Sequence, residues 1–199
     1  MAVVKPKPAC QDVQWSERMI AQAVALQTLK RDCLVLVDNC NWTGHECDVL
    51  AVTRDLRIID VEVKISRADF KADARKEKWW QRRMRWAGDK QPVGTGTDLF
   101  GPVQRAQRTH PPRVWKHYFA MPREIWREDM ADLLPSPACG VLLLEHGRPG
   151  HVVVTSHRRV KPDPHAYRLT AAQAIDIARL ASLRLWGAYD TIERYRRGR

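Results

Sequence analysis

Apolar residues recur along the chain with two different periods, and the switches between them predict its elements. From about Asp12 to Lys30 the period is helical, with Val13, Ile20 and Val24 on one stripe. Residues 34–37 (LVLV) read as a short strand, and DNCNWTG after them is rich in turn formers. HECDVLAV (45–52) and RIIDVEVKI (57–65) read as two further strands joined by the tight turn TRDL. Ser66 then caps a helix predicted from about Arg67 to Trp86, with Asp69 at its third position. Residues 88–114, rich in Gly, Pro, Gln and Arg, read as a long basic loop or insertion. HYFAM (117–121), GVLLLE (140–145) and HVVVT (151–155) alternate or run apolar as strands do. Thr170 and Gln173 form a capping box for a last helix, whose stripe is Ala174, Ala178, Ala181 and Leu185. Residues 1–11 and 188–199 lack such patterns and read as a loose tail and a basic tail, leaving one domain over 12–187. The order is helix, three strands, helix, strands, helix. It predicts an α/β or α+β fold with a mixed central sheet flanked by helices.

Strand alternation also locates chemistry. In DVEVK, Val61, Val63 and Ile65 face one way, and Asp60, Glu62 and Lys64 the other. On a half-exposed strand that polar face would simply be solvated. Asp48 changes the weighing, because it interrupts the apolar run CDVLAV on the preceding strand. Neighbouring strands lie about 5 Å apart, so Asp48 and Glu62 are placed to meet around one cation. Mg²⁺ or Mn²⁺ takes oxygen ligands, and the Val63 carbonyl offers a further one. Lys64 would orient or deprotonate a water, or neutralise charge building on a phosphate. Glu17 falls inside the stripe of Val13, Ile20 and Val24, a costly place for a carboxylate unless it is paired or bound to metal. It is therefore assigned to the same pocket.

The formal net charge of +11 directs attention to anionic partners. On the predicted helix, Lys71, Arg75, Lys78, Arg82 and Arg85 form one basic stripe with Trp79 and Trp86 along its flank. Such a stripe would hold DNA phosphates while the indoles stack on unpaired bases. The competing reading is a solvated face with its tryptophans in the core. Arg105, Arg108 and Arg113 would extend the path along the loop.

Cys33, Cys40 and Cys47 recur every seven residues with His45 nearby. No CxxC pair accompanies them and Cys47 falls in a strand pattern, so buried free thiols are expected rather than a zinc site. The odd total of 5 cysteines argues for a reducing compartment. MAVVKPKPAC has no apolar stretch of signal-peptide length, and no run is long enough to span a bilayer. The expectation is a cytoplasmic protein, bacterial or phage-encoded, with no membrane partner. GTGTDLFG (94–101) lacks the ending of a P-loop, so no nucleotide cofactor is expected. Oligomeric state stays open, with room for a homodimer.

A helical Glu, then Asp, then ExK at the end of the next strand, then a helix resembles the PD-(D/E)XK nuclease superfamily. The longer stretch DVEVKISRADFKADARKEKW resembles the MmcB-like family of bacterial DNA-repair proteins, with a glutamate–lysine strand, then Ser, then a helix with an ADF-type turn. HYFAMP, GVLLLE and ARLASLRLW are similar in kind and order, so the resemblance covers roughly residues 12–82 and 116–187. It implies a restriction-endonuclease-like core and a Mg²⁺-dependent role on DNA in repair, recombination or phage DNA processing. It supports Asp48, Glu62 and Lys64 as catalytic, and Glu17 with them. The stretch around 83–115 departs from it by its length. A DNA-binding repair factor that keeps the nuclease fold without cleaving is the alternative.

Overall fold

The computed structural model describes residues 14–83, 104–148 and 151–198. Along the chain run α1 (Glu17–Val24), β1 (Cys33–Cys40), β2 (Cys47–Thr53), β3 (Ile58–Val63), α2 (Arg67–Asp73), β4 (Trp80–Arg83), β5 (Gln104–Gln107), β6 (Val114–Pro122), β7 (Gly140–His146), β8 (Val152–Arg158) and α3 (Ala171–Arg197). Six strands form one sheet in the order β1-β2-β3-β6-β7-β8, while β4 and β5 make a separate two-stranded ribbon. The pairs β3–β6 and β6–β7 are parallel; β1–β2, β2–β3 and β7–β8 are antiparallel. The protein is thus α+β, with a mixed central sheet and flanking helices.

Helix α1 covers one face of the sheet, where Ile20 and Val24 pack with Val49, Val61, Val63 and Leu142. On the other face Ile177 of α3 joins Val37, Leu50, Val52 and Ile58. Further along that face Phe70, Trp79 and Met130 pack on Phe119, Met121 and Leu143. Strand β3 lies at the centre and is buried at every position. Asp60, Glu62 and Lys64 are 0, 3 and 2 % exposed, so the expected choice between a solvated polar face and a site resolves against solvation.

Ser66 caps α2 by accepting the Asp69 N–H at 3.1 Å, and Thr170 and Gln173 close the capping box of α3. Other expectations are corrected. The described helix α1 opens at Ser16, which accepts the Met19 N–H, so Glu17 keeps the line of Ile20 and Val24 but sits in the first turn, where it is exposed. There its charge complements the helix dipole. Helix α3 runs on to Arg197 where a tail was expected, with Arg194, Arg196 and Arg197 suiting its C-terminal end. Ile177 carries its buried contact, whereas Leu185 is exposed.

The largest correction concerns the basic helix. Helix α2 stops at Asp73, and a 3₁₀ turn (Glu77–Trp79) leads into β4. Trp79 is fully buried, edge-on to His117, and donates its indole N–H to Asp73 at 3.1 Å. Lys78 is 8 % exposed and reaches Glu62. A continuous helix would carry both side chains along an outer stripe. Burying an indole and pairing a buried carboxylate outweigh the backbone hydrogen bonds of the further turns expected as far as Trp86. Lys71 and Arg75 are exposed, but they share no stripe with Lys78 and Trp79, and Arg82 lies on β4. Arg85 and Trp86 lie outside the described residues. In the expected long loop, residues 104–107 form β5 and Arg105 pairs with Glu77.

Candidate active site

Glu62 collects three ammonium groups. Its Oε1 accepts from Lys64 Nζ at 3.0 Å and from Lys76 Nζ at 2.6 Å, and its Oε2 from Lys78 Nζ at 2.6 Å. Asp73, at the end of α2, is the second buried acid of the cluster. Its Oδ1 lies 2.6 Å from Lys76 Nζ and 3.4 Å from Lys64 Nζ. Asp69, one turn earlier, stands 3.5 Å from Lys64. Burial works against the Lys76 and Lys78 ammoniums, but the facing carboxylates hold both above the ordinary lysine value. The break after α2 is therefore what brings these two lysines onto β3.

Asp48 meets the same strand from β2. The β2–β3 register runs from Val52↔Ile58 to Val49↔Val61, with Asp48 beyond its end. Alternation breaks here, since Cys47 and Leu50, three apart, pack in one cluster. On β1, Asn39 takes φ 44° between the pairs Asp38↔Val49 and Cys40↔Cys47. In place of a ladder carbonyl, Asp48 Oδ2 accepts the Val63 N–H at 2.6 Å. That hydrogen bond sets Asp48 against the backbone between Glu62 and Lys64. Burial, and then the charge of Glu62, pushes the Asp48 carboxyl up to about 6. A raised carboxyl value means that the native state holds the proton more tightly than the unfolded chain. Asp48 thus disfavours folding above pH 6, and this cost fades as the pH falls toward its ordinary value of 3.8. Side-chain carboxyl NMR is expected to show Asp48 titrating near pH 6, and Glu62→Gln to move it lower. A midpoint unmoved by Glu62→Gln would mean that the two carboxylates do not sense each other.

Glu17 and Asp48 line one cleft of about 710 Å³, together with Arg18, Asp38 and Arg184. Val63 contributes its N–H to Asp48, and its side chain belongs to the core under α1.

The second acid of β3, Asp60, has different company. Asp60 Oδ2 lies 2.9 Å from His117 Nδ1 and 3.3 Å from His45 Nε2. Burial alone would raise Asp60, but His117 and His45 hold it far below the usual carboxylate range. Cys33, Cys40, Cys47 and Cys139 are free thiols. Cys33 and Cys40 begin and end β1, roughly 23 Å apart at strand rise, so the seven-residue spacing does not gather them at one site. Sequence reasoning passed over Lys76, Asp73 and His117 as site residues.

No protein-family model and no curated protein matches the chain. Its fold is similar to that of a protein of unknown function from Silicibacter pomeroyi, with a TM-score of 0.51 and 18% identity over 91% of this chain and 94% of the other. At that identity the likeness carries the fold alone. Among the described residues, no helix is long and apolar enough to cross a membrane.

Proposed function

We propose that the chain is a Mg²⁺- or Mn²⁺-dependent deoxyribonuclease of the PD-(D/E)XK type, resembling the MmcB-like DNA-repair proteins and acting in repair, recombination or phage DNA processing. One observation carries the reading: Asp48 is hydrogen-bonded to the Val63 N–H, between the buried Glu62 and Lys64 of the central strand. The residues fit a divalent ion. Burial, and then the charge of Glu62, raises the Asp48 carboxyl, and a divalent ion between the two acids would relieve both effects. Of the three ammoniums on Glu62, Lys76 is the half-exposed one, and so the one whose displacement by an ion would cost least. Asp48 and Glu62 would hold the ion, with the Val63 carbonyl as a further oxygen and Glu17 supporting from the shared cleft. When bound, the ion supplies Lewis-acid polarisation of the phosphoryl oxygens. Lys64, hydrogen-bonded to Glu62, presents a cation where charge builds on the phosphate. The net charge of +11 and exposed cations such as Lys71 and Arg75 favour a polyanion such as DNA.

The capture of Glu62 by three lysines favours one other reading, a DNA-binding repair factor that keeps this fold and does not cleave. Purified protein incubated with single-stranded, duplex and branched DNA in Mg²⁺, Mn²⁺ or EDTA separates the two. Cleavage is expected with either metal and none in EDTA, while DNA binding persists in both. Cleavage undiminished in excess EDTA overturns the metal-dependent mechanism. Binding without cleavage in every ion establishes the second reading.

A further inference from the structure

Cys47 and Asp60 neighbour Asp48 and Glu62 along β2 and β3, and with His45 they form a second group that the proposed nuclease chemistry does not use. Their ligand atoms all lie within 4.8 Å of one another. Three ligands of one tetrahedral ion, bonded at about 2.0–2.3 Å, would sit roughly 3.3–3.8 Å apart. His45 Nε2 and Asp60 Oδ2 already stand at 3.3 Å. Cys47 and Asp60 are fully buried, and His45 lies on the turn between β1 and β2.

We propose that His45, Cys47 and Asp60 form a binding site for a thiophilic divalent transition-metal ion, with zinc the ion that this donor set suits best. The inference is independent of the nuclease reading. An imidazole, a thiolate and a carboxylate are zinc ligands, whereas Mg²⁺ takes oxygen donors. Two buried atoms lack hydrogen-bond partners here, Asp60 Oδ1 and His117 Nε2. The open lone pair of Asp60 Oδ1, beside a thiol and an imidazole, leaves room for a cation. Metal binding would release the thiol proton of Cys47 to solvent and leave the thiolate as ligand. His117 is placed behind the site rather than in it. It is the register partner of Asp60 across β3 and β6, and its Nδ1 holds Asp60 Oδ2 at 2.9 Å. Such a partner orients a ligating carboxylate. His45 also lines a cleft of about 590 Å³ with Thr43, Lys76, Lys78 and Arg108. A fourth position, filled by water or an anion, would open there.

The test uses the full chain, stripped with chelator and titrated with Co²⁺ as a spectroscopic stand-in for zinc. One equivalent is expected to give a thiolate-to-cobalt charge-transfer band that Zn²⁺ abolishes on addition. Cys47→Ser should remove the band, and Cys33→Ser should keep it. His45→Ala should weaken Zn²⁺ binding in competition with a chromophoric chelator by more than the roughly 10–100-fold that loss of an outer-shell partner costs. His45 is partly exposed on a turn, so this variant reports even if changes at Asp60 disturb folding. The band reports sulfur ligation, which Asp48 and Glu62 cannot supply, so its outcome is separate from that of the cleavage assay. No charge-transfer band at one equivalent, or a band that survives Cys47→Ser, overturns the proposal.

Discussion

Glu62→Gln is expected to destabilise the fold by about 3–5 kcal/mol, measured as a shift in the urea midpoint at unchanged slope. The carboxylate of Glu62 compensates Lys64 and Lys78, both buried, and Lys76, which is half in solvent. Glutamine keeps the shape but removes the charge, and it turns one acceptor into a donor facing an ammonium. Asp73 offers partial relief, at 3.4 Å from Lys64 and 3.7 Å from Lys78. Lys76→Gln provides the contrast. Its side chain is 46% exposed and Glu62 retains two ammoniums, so the cost should stay within about 1 kcal/mol. Equal effects from the two substitutions would mean that Glu62 does not organise the cluster.

Asp48→Asn is expected to abolish cleavage while leaving the fold intact. The asparagine Oδ1 can still accept the Val63 N–H, so the end of the β2–β3 pairing keeps its hydrogen bond. The burial cost of a charged carboxylate disappears with the charge, which works against any loss of stability. What is lost is an anionic ligand for the ion. A metal contributes several kcal/mol of transition-state charge stabilisation, which at about 1.4 kcal/mol per decade is roughly a thousandfold in rate. Single-turnover cleavage at saturating Mg²⁺ measures the loss directly, with DNA affinity followed in parallel. A variant that cleaves within a few-fold of the parent would remove Asp48 from the chemistry.

The sequence by itself determined what depends on neighbours along the chain. Alternation in DVEVK located β3 and set Asp60, Glu62 and Lys64 on one face, because a strand's side chains have a fixed period of two. Ser66 and Thr170 marked helix starts, since a side-chain oxygen three residues before a free N–H is a local arrangement. The order of elements, and with it the mixed α+β architecture, followed from such signals.

Only the tertiary structure decided where α2 ends. Residues 67–86 favour a helix locally, but the pocket beside Phe119 and His117 takes Trp79, and Glu62 takes Lys76 and Lys78. These partners lie 14 to 40 positions away in the chain, and burial of an indole and of paired charges exceeds the small per-residue preference for helix. The grouping of His45 and Cys47 with Asp60 and His117 has the same origin. It exists because β3 pairs with β2 on one side and with β6 on the other, which brings side chains from distant segments onto one buried face.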